Sequence, residues 1–215
     1  MSASGDVTER HRAVRIGITG PIGCGKSTIA GWRGKRPGVV VIDADRVARD
    51  VLGRGEPAVE AVVARFGADL LRDGELDRAA LGRLVFDDPA ALRDLEAIVH
   101  PAVRPRIMSA IAEADRARAS AIVIEAIKLV EGGLAAECDE VWLVRCDPEV
   151  QRDRLIGRGS APGDAAQRIA AQEGAEARMA GAATLVIDTS GDEGATRLNV
   201  DSALEDAMSR RSRPG

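Results

Sequence analysis

Gly20-Pro21-Ile22-Gly23-Cys24-Gly25-Lys26-Ser27-Thr28 matches the spacing G-x-x-x-x-G-K-[ST] at every fixed position. An apolar run at 14–18 reads as a strand just before it and a helix-like segment follows, the setting that a phosphate-binding loop needs. Gly20, Gly23 and Gly25 allow a tight backbone turn and bring N–H groups close to phosphate oxygens, where the start of the next helix adds a positive dipole end. Lys26 supplies a point charge for β- and γ-phosphates, and the Ser27 hydroxyl is suited to ligate an accompanying magnesium ion. The competing reading, an ordinary glycine-rich turn between strand and helix, leaves the complete motif and its flanks unexplained.

The rest of the chain bounds what such a loop can serve. At 215 residues there is room for one domain, or a core with inserted subdomains. A composition of 45% hydrophobic and 30% charged residues describes a globular protein, but with 2% aromatics and no tyrosine the core must be built from Val, Leu, Ile and Ala. Few aromatics and a net charge of −4 argue against a nucleic-acid partner, so phosphate binding has to come from local arrangement. No apolar run reaches bilayer-spanning length and residues 1–13 carry no apolar signal segment, so no membrane partner and a cytoplasmic location are expected. The cysteines Cys24, Cys138 and Cys146 lack metal-ligand spacing and read as free thiols. Cys24 at a helix start is either an activated thiol or a small residue tolerated in the loop.

In chain order, residues 1–13 read as a tail and 14–19 as the first strand. The helix after the loop is weakened by Gly31 and Gly34 and must end before Pro37. The β-branched run at 39–42 reads as a buried parallel strand ending in Asp43-Ala44-Asp45. Ligands of open α/β sheets sit beyond the carboxyl ends of the strands, so both aspartates should reach the edge that holds the loop. A carboxylate there can take a proton from an attacking hydroxyl or hold a magnesium-bound water; alternatively an Asp caps the next helix, and two aspartates allow both. Residues 46–118 read as mostly helical, broken at Gly67, Gly74 and Pro89, too much for a single crossover and therefore a helical insertion containing His100. Further strands are expected at 121–125, ending in Glu125 with Glu131 in the loop beyond, at 141–144 and at 185–188, with a last helix at 200–208 and a frayed tail at 210–215. Residues 151–172 form two short helices around a Gly-rich joint. Arg152, Arg154, Arg158 and Arg168 there suit either a lid over transferring phosphate or a solvated helix face.

Taken together, the segments resemble dephospho-coenzyme A kinases, P-loop kinases of the nucleoside-monophosphate-kinase type. The resemblance rests on GPIGCGKST, VIDAD at 41–45, FG at 66–67, DGELDRAAL at 73–81, VF at 85–86, HP at 100–101, CDEVWLV at 138–144, and Gln151, Arg154, Arg158 and Gln172. It implies a P-loop kinase fold: a five-stranded parallel sheet flanked by helices, whose nucleotide core comprises 14–45, 119–148 and 179–209, with an acceptor-binding insertion at 46–118 and a lid at 149–178. It implies ATP with Mg2+ as donor and dephospho-coenzyme A as acceptor, phosphorylated on its ribose 3′-hydroxyl. Asp45 would be the base, Lys26 a phosphate ligand and Arg154 and Arg158 lid residues; loop residues 20 and 23–28 would hold the nucleotide, Ser27 the metal, and Asp43, His100 and Glu131 the acceptor. The chain departs from the family pattern at Pro21, in its glycine-rich first helix, at 125–131 where Ile127-Lys128 stand for the usual Pro-Leu, and at Thr184 and Thr189. Another small-molecule kinase on this scaffold and a nucleotide-dependent switch are the rival readings.

Overall fold

The computed structural model describes residues 12–86, 88–172 and 174–211. Among them, five strands form an all-parallel sheet in the order β2-β5-β1-β6-β7: β1 (Val14–Thr19), β2 (Val39–Asp43), β5 (Ala121–Glu125), β6 (Glu140–Arg145) and β7 (Leu185–Asp188). The expected α/β architecture is therefore present, and the strand limits lie within one residue of those read from the sequence.

Alternation along the strands builds the two faces of the core. On one face Val14, Ile16 and Ile18 of β1 and Val123 of β5 pack with Ile29 of α1 (Lys26–Gly34) and with Val200 and Leu204 of α9 (Glu193–Arg211). On the other, Ile122 and Ile124 of β5 and Ile42 of β2 meet Val103, Ile107 and Ile111 of α5 (Pro89–Arg116). β2 is an edge strand, with Val40 and Val41 only half-buried, which corrects the fully buried strand expected from its β-branched run. Composition reveals that a strand is apolar, but its position in the sheet is set by where the chain next returns.

Residues 46–118 form α2 (Ala44–Asp50, beginning just before), α3 (Pro57–Phe66), α4 (Arg78–Phe86) and α5, with a hairpin of β3 (Leu71–Arg72) and β4 (Glu75–Leu76) between α3 and α4. That hairpin was not anticipated, although its Asp73-Gly74 turn, φ 52° and 79°, is the pair that tight antiparallel connections favour. The 28-residue α5 starts on Pro89 with Asp88 accepting from the N–H groups of Ala90 (2.8 Å) and Ala91 (3.1 Å), and it continues through Pro101 and Pro105. Its first half packs with α3 and α4 around Val62, Leu81 and Ala91, and its second half covers the sheet. One helix thus carries the insertion and ties it to the core.

Both expected tails are partly built into the fold. Ala13 is buried and its N–H donates to Asp115 at 2.8 Å, while Arg12 pairs with Asp139 at 2.7 Å. α9 is longer than expected and runs to Arg211, with Arg210 paired to Glu140 at 2.5 Å. Residues 1–11 and 212–215 lie outside the described residues. Because Ile107 is fully buried where α5 meets the sheet, Ile107→Ala should cost about 3 kcal/mol of unfolding free energy, measurable by urea denaturation.

Candidate functional site

The loop sits where β1 ends at the centre of the sheet. Gly20, Gly23 and Gly25 all adopt positive φ, 145°, 81° and 94°, and a Cβ at Gly20 would run into the Val144 carbonyl of the neighbouring strand. Gly25 stands at the N-cap position of α1, so the first helical N–H groups face the loop. Lys26 is 6% exposed and its ammonium donates to the carbonyls of Gly20 (2.8 Å) and Pro21 (2.9 Å). Burial lowers the Lys26 pKa, and the nearby carboxylates of Glu125 and Asp45 act against that shift.

The register of the sheet assembles those carboxylates. Asp43 of β2 lies directly opposite Glu125 of β5. Asp43 caps α2, accepting from the Arg46 N–H at 2.8 Å, and its other oxygen lies 3.6 Å from Arg49; the cap reading therefore holds for Asp43. Asp45 lies in the first turn of α2, and its pKa is raised by burial and by Asp43, with Lys26 acting the other way. Glu125 is 6% exposed and accepts a 2.5 Å hydrogen bond from the Ser27 hydroxyl. Burial raises its pKa as well. Sequence reasoning marked Glu125 as a strand-end carboxylate and did not place it in the site; the signal was there, but its pairing with Ser27, 98 residues earlier, depends on which strand adjoins β1.

On the other side of the loop are α6 (Pro148–Gly157) and α7 (Pro162–Ala170), the two short helices expected there. The Gln151 amide donates to the Ile22 carbonyl at 2.7 Å, and the Ile22 N–H donates to Gln172 at 2.7 Å, so this segment grips the loop backbone from both sides. Arg154 donates to the hydroxyl (2.9 Å) and the carbonyl (2.7 Å) of Thr189, whose own hydroxyl donates to the Cys24 carbonyl at 2.8 Å. Thr189 thereby links α6 to the loop. Arg158 and Arg154 line a recess of about 120 Å³ with Gly25, Thr28, Trp32 and Thr196. The exposed Arg152 lies 3.9 Å from Asp153, as a solvated helix face predicts.

A larger cavity of about 480 Å³ opens between the core and the insertion. Asp45 lines it, together with His100, Arg49, Arg78, Arg104 and Lys128 and apolar residues of α4 and α5. Glu131 does not join that lining. Its carboxylate lies 3.7 Å from Arg178 of α8 (Ala175–Ala180), on the far side of the loop after β5.

Residues 14–193 match the sequence profile of the dephospho-CoA kinase family. The chain is 44% identical over 190 residues to the dephospho-CoA kinase of Symbiobacterium thermophilum, covering 87% of this chain and 79% of that one. It is 43% identical over 194 residues to the enzyme of Moorella thermoacetica, covering 89% and 91%. The chain belongs to the dephospho-CoA kinase family. A crystal structure of a Thermus thermophilus protein, 31% identical, superposes with a TM-score of 0.71 over 91% of this chain and 98% of that one. The resemblance drawn from the order of motifs is thus borne out, and so is the P-loop kinase fold. Among the described residues, no helix is long and apolar enough to cross a membrane.

The three cysteines are free thiols, as expected, and two of them lie together. Cys24 and Cys146 lie 2.6 Å apart and share a hydrogen bond. That bond and burial push the Cys24 thiol well up, whereas Cys146 is lowered by the same bond, with help from the Arg154 guanidinium. Burial pushes Cys138 up to about 12. Cys24 is 1% exposed, so despite its place beside a helix N-terminus it is a packed loop residue and no accessible reactive thiol. Iodoacetamide at pH 7.5 should alkylate Cys146 before Cys24 or Cys138, as read by peptide mass spectrometry.

Proposed function

We propose that the chain transfers the γ-phosphoryl group of ATP to the ribose 3′-hydroxyl of dephospho-CoA, giving CoA and ADP. The observation that carries this reading is the position of Asp45, a half-buried carboxylate that lines the large cavity and feels the charge of Lys26. An acceptor in that cavity and a triphosphate on the loop would meet at Asp45. Such a transfer needs positioning and charge stabilisation more than covalent chemistry. The loop N–H groups and Lys26 hold the phosphates; Lys26 exchanges its two loop carbonyls for phosphate oxygens. Asp45 accepts the proton of the attacking hydroxyl. Arg158 and Arg154 bear on the moving phosphoryl from the lid side, with Arg154 preset by Thr189.

Magnesium suits this donor set. The Ser27 hydroxyl and the Glu125 carboxylate, 2.5 Å apart, are hard oxygen donors, and an ion carried by ATP takes most of its ligands from phosphate and water. When bound, it would neutralise charge on the β- and γ-phosphates. Among the described residues there is no group of three or more His, Cys, Asp or Glu side chains able to cage a metal alone. Asp43 serves mainly to hold α2 and hence Asp45, His100 contributes to the acceptor cavity, and Glu131 is left to an ion pair. A cytoplasmic enzyme with no nucleic-acid partner goes with this reading, supported by the acidic balance of the chain.

The test is ADP release from ATP with and without dephospho-CoA, with Lys26→Ala as the inactive control; ADP formation that is unaffected by dephospho-CoA would refute the reading. Asp45→Asn should fold and bind ATP yet lose turnover by roughly 10²–10⁴-fold, because the proton acceptor is gone. The catalytic form of Asp45 is the carboxylate, and its pKa is raised. Activity should therefore fall with decreasing pH at a pKa above the ordinary carboxylate value of about 4, as seen in the acid limb of a kcat/KM profile.

A further inference from the structure

The large cavity is charged in a way that neither the loop nor the base explains. Four cationic side chains, Arg49, Arg78, Arg104 and Lys128, line it against two carboxylates, Asp45 and Glu96. Three of the cations are held by groups outside that lining or by backbone. Arg49 lies 3.6 Å from Asp43, Arg104 is paired with Glu137 at 2.5 Å, and Arg78 donates to the carbonyls of Arg49 (2.7 Å) and Leu52 (3.1 Å). Lys128 is different: its partner is Glu96 of α5, and both members of the pair line the cavity. Their side chains are 48% and 29% exposed, so solvent reaches the pair and separating it costs little.

The backbone that carries Lys128 is well anchored. The Ala126 N–H donates to the Ile18 carbonyl at 3.1 Å, and the Thr19 hydroxyl donates to the Ile127 carbonyl at 3.1 Å. The Lys128 ammonium is therefore held at the cavity wall with a single carboxylate partner that an incoming anion can replace.

Building on the dephospho-CoA reading above, we propose that Lys128 is an acceptor-specificity residue: it leaves Glu96 and binds the diphosphate of the incoming acceptor. A dianionic diphosphate offers more charge and more acceptor oxygens than one carboxylate, so the exchange favours the acceptor. Glu96 is then a competitor that lowers apparent affinity for the acceptor and denies Lys128 to weaker anions.

Steady-state kinetics on the full chain test this in two directions. Lys128→Leu should raise the KM for dephospho-CoA about tenfold while changing kcat by no more than about twofold, and Lys128→Arg should restore most of the affinity. Glu96→Gln should lower the KM, because the competing anion is removed. Adenosine, which lacks the diphosphate and is measured as a competitor of dephospho-CoA, should bind wild type and Lys128→Leu alike. An unchanged KM in Lys128→Leu overturns the proposal. So does an equal loss of adenosine affinity, which would mean general damage to the cavity, or a KM increase in Glu96→Gln, which would make the ion pair purely structural. A wild-type chain inactive on dephospho-CoA refutes the functional reading and this proposal together; an active wild type with any of the other adverse results refutes the proposal alone.

Discussion

The buried ammonium of Lys26 sets the terms for everything around it. A charge at 6% exposure is tolerable only if hydrogen bonds and opposite charges replace its lost water. Two loop carbonyls supply the first, and the second comes from Glu125 and Asp45, delivered by two different strand ends. Glu125 is buried and Asp45 half-buried, and both are made less acidic by the loss of water, which is tolerable near Lys26 and would be costly without it. Cation and carboxylates are thus mutually dependent, and the same balance leaves Asp45 with the raised basicity that suits a proton acceptor.

That balance depends on strand order. β5 lies between β2 and β1, so Glu125 stands opposite Asp43 on one side and next to the end of β1 on the other. The carboxyl ends of the parallel strands therefore converge on one sheet edge, as open α/β sheets require. α5 supports the arrangement from a distance. By packing its second half on β2 and β5 and its first half on the insertion, it fixes one wall of the large cavity relative to Asp45.

The opposite flank uses polar contacts to the backbone. Gln151 and Gln172 hold both polar groups of Ile22, and Thr189 connects Arg154 to the Cys24 carbonyl. These bonds tie α6 and the segment after α7 to the backbone of the loop. Thr189 holds Arg154 through both its hydroxyl and its carbonyl, which fixes the direction of the guanidinium.

Much of this was legible in the sequence because the relevant signals are local. The motif from Gly20 to Thr28 follows from contiguous spacing, and the strand limits follow from β-branched runs ended by polar residues. Asp43 and Asp45 came with the second strand, and their division into cap and free carboxylate was one of the readings open to them. What lies between distant segments was not legible. The edge position of β2, the Ser27–Glu125 bond, the seating of Arg154 on Thr189 and the Lys128–Glu96 pair join residues from 32 to 98 positions apart. The Asp73-Gly74 hairpin was missed for another reason: two-residue strands carry too little periodicity to register. The sequence by itself determined that this chain holds a phosphate loop on a parallel sheet. Only the tertiary structure decided which carboxylates share the buried charge of Lys26 and which cations line the large cavity, because both depend on sheet register and helix packing, which bring together groups that no local spacing relates.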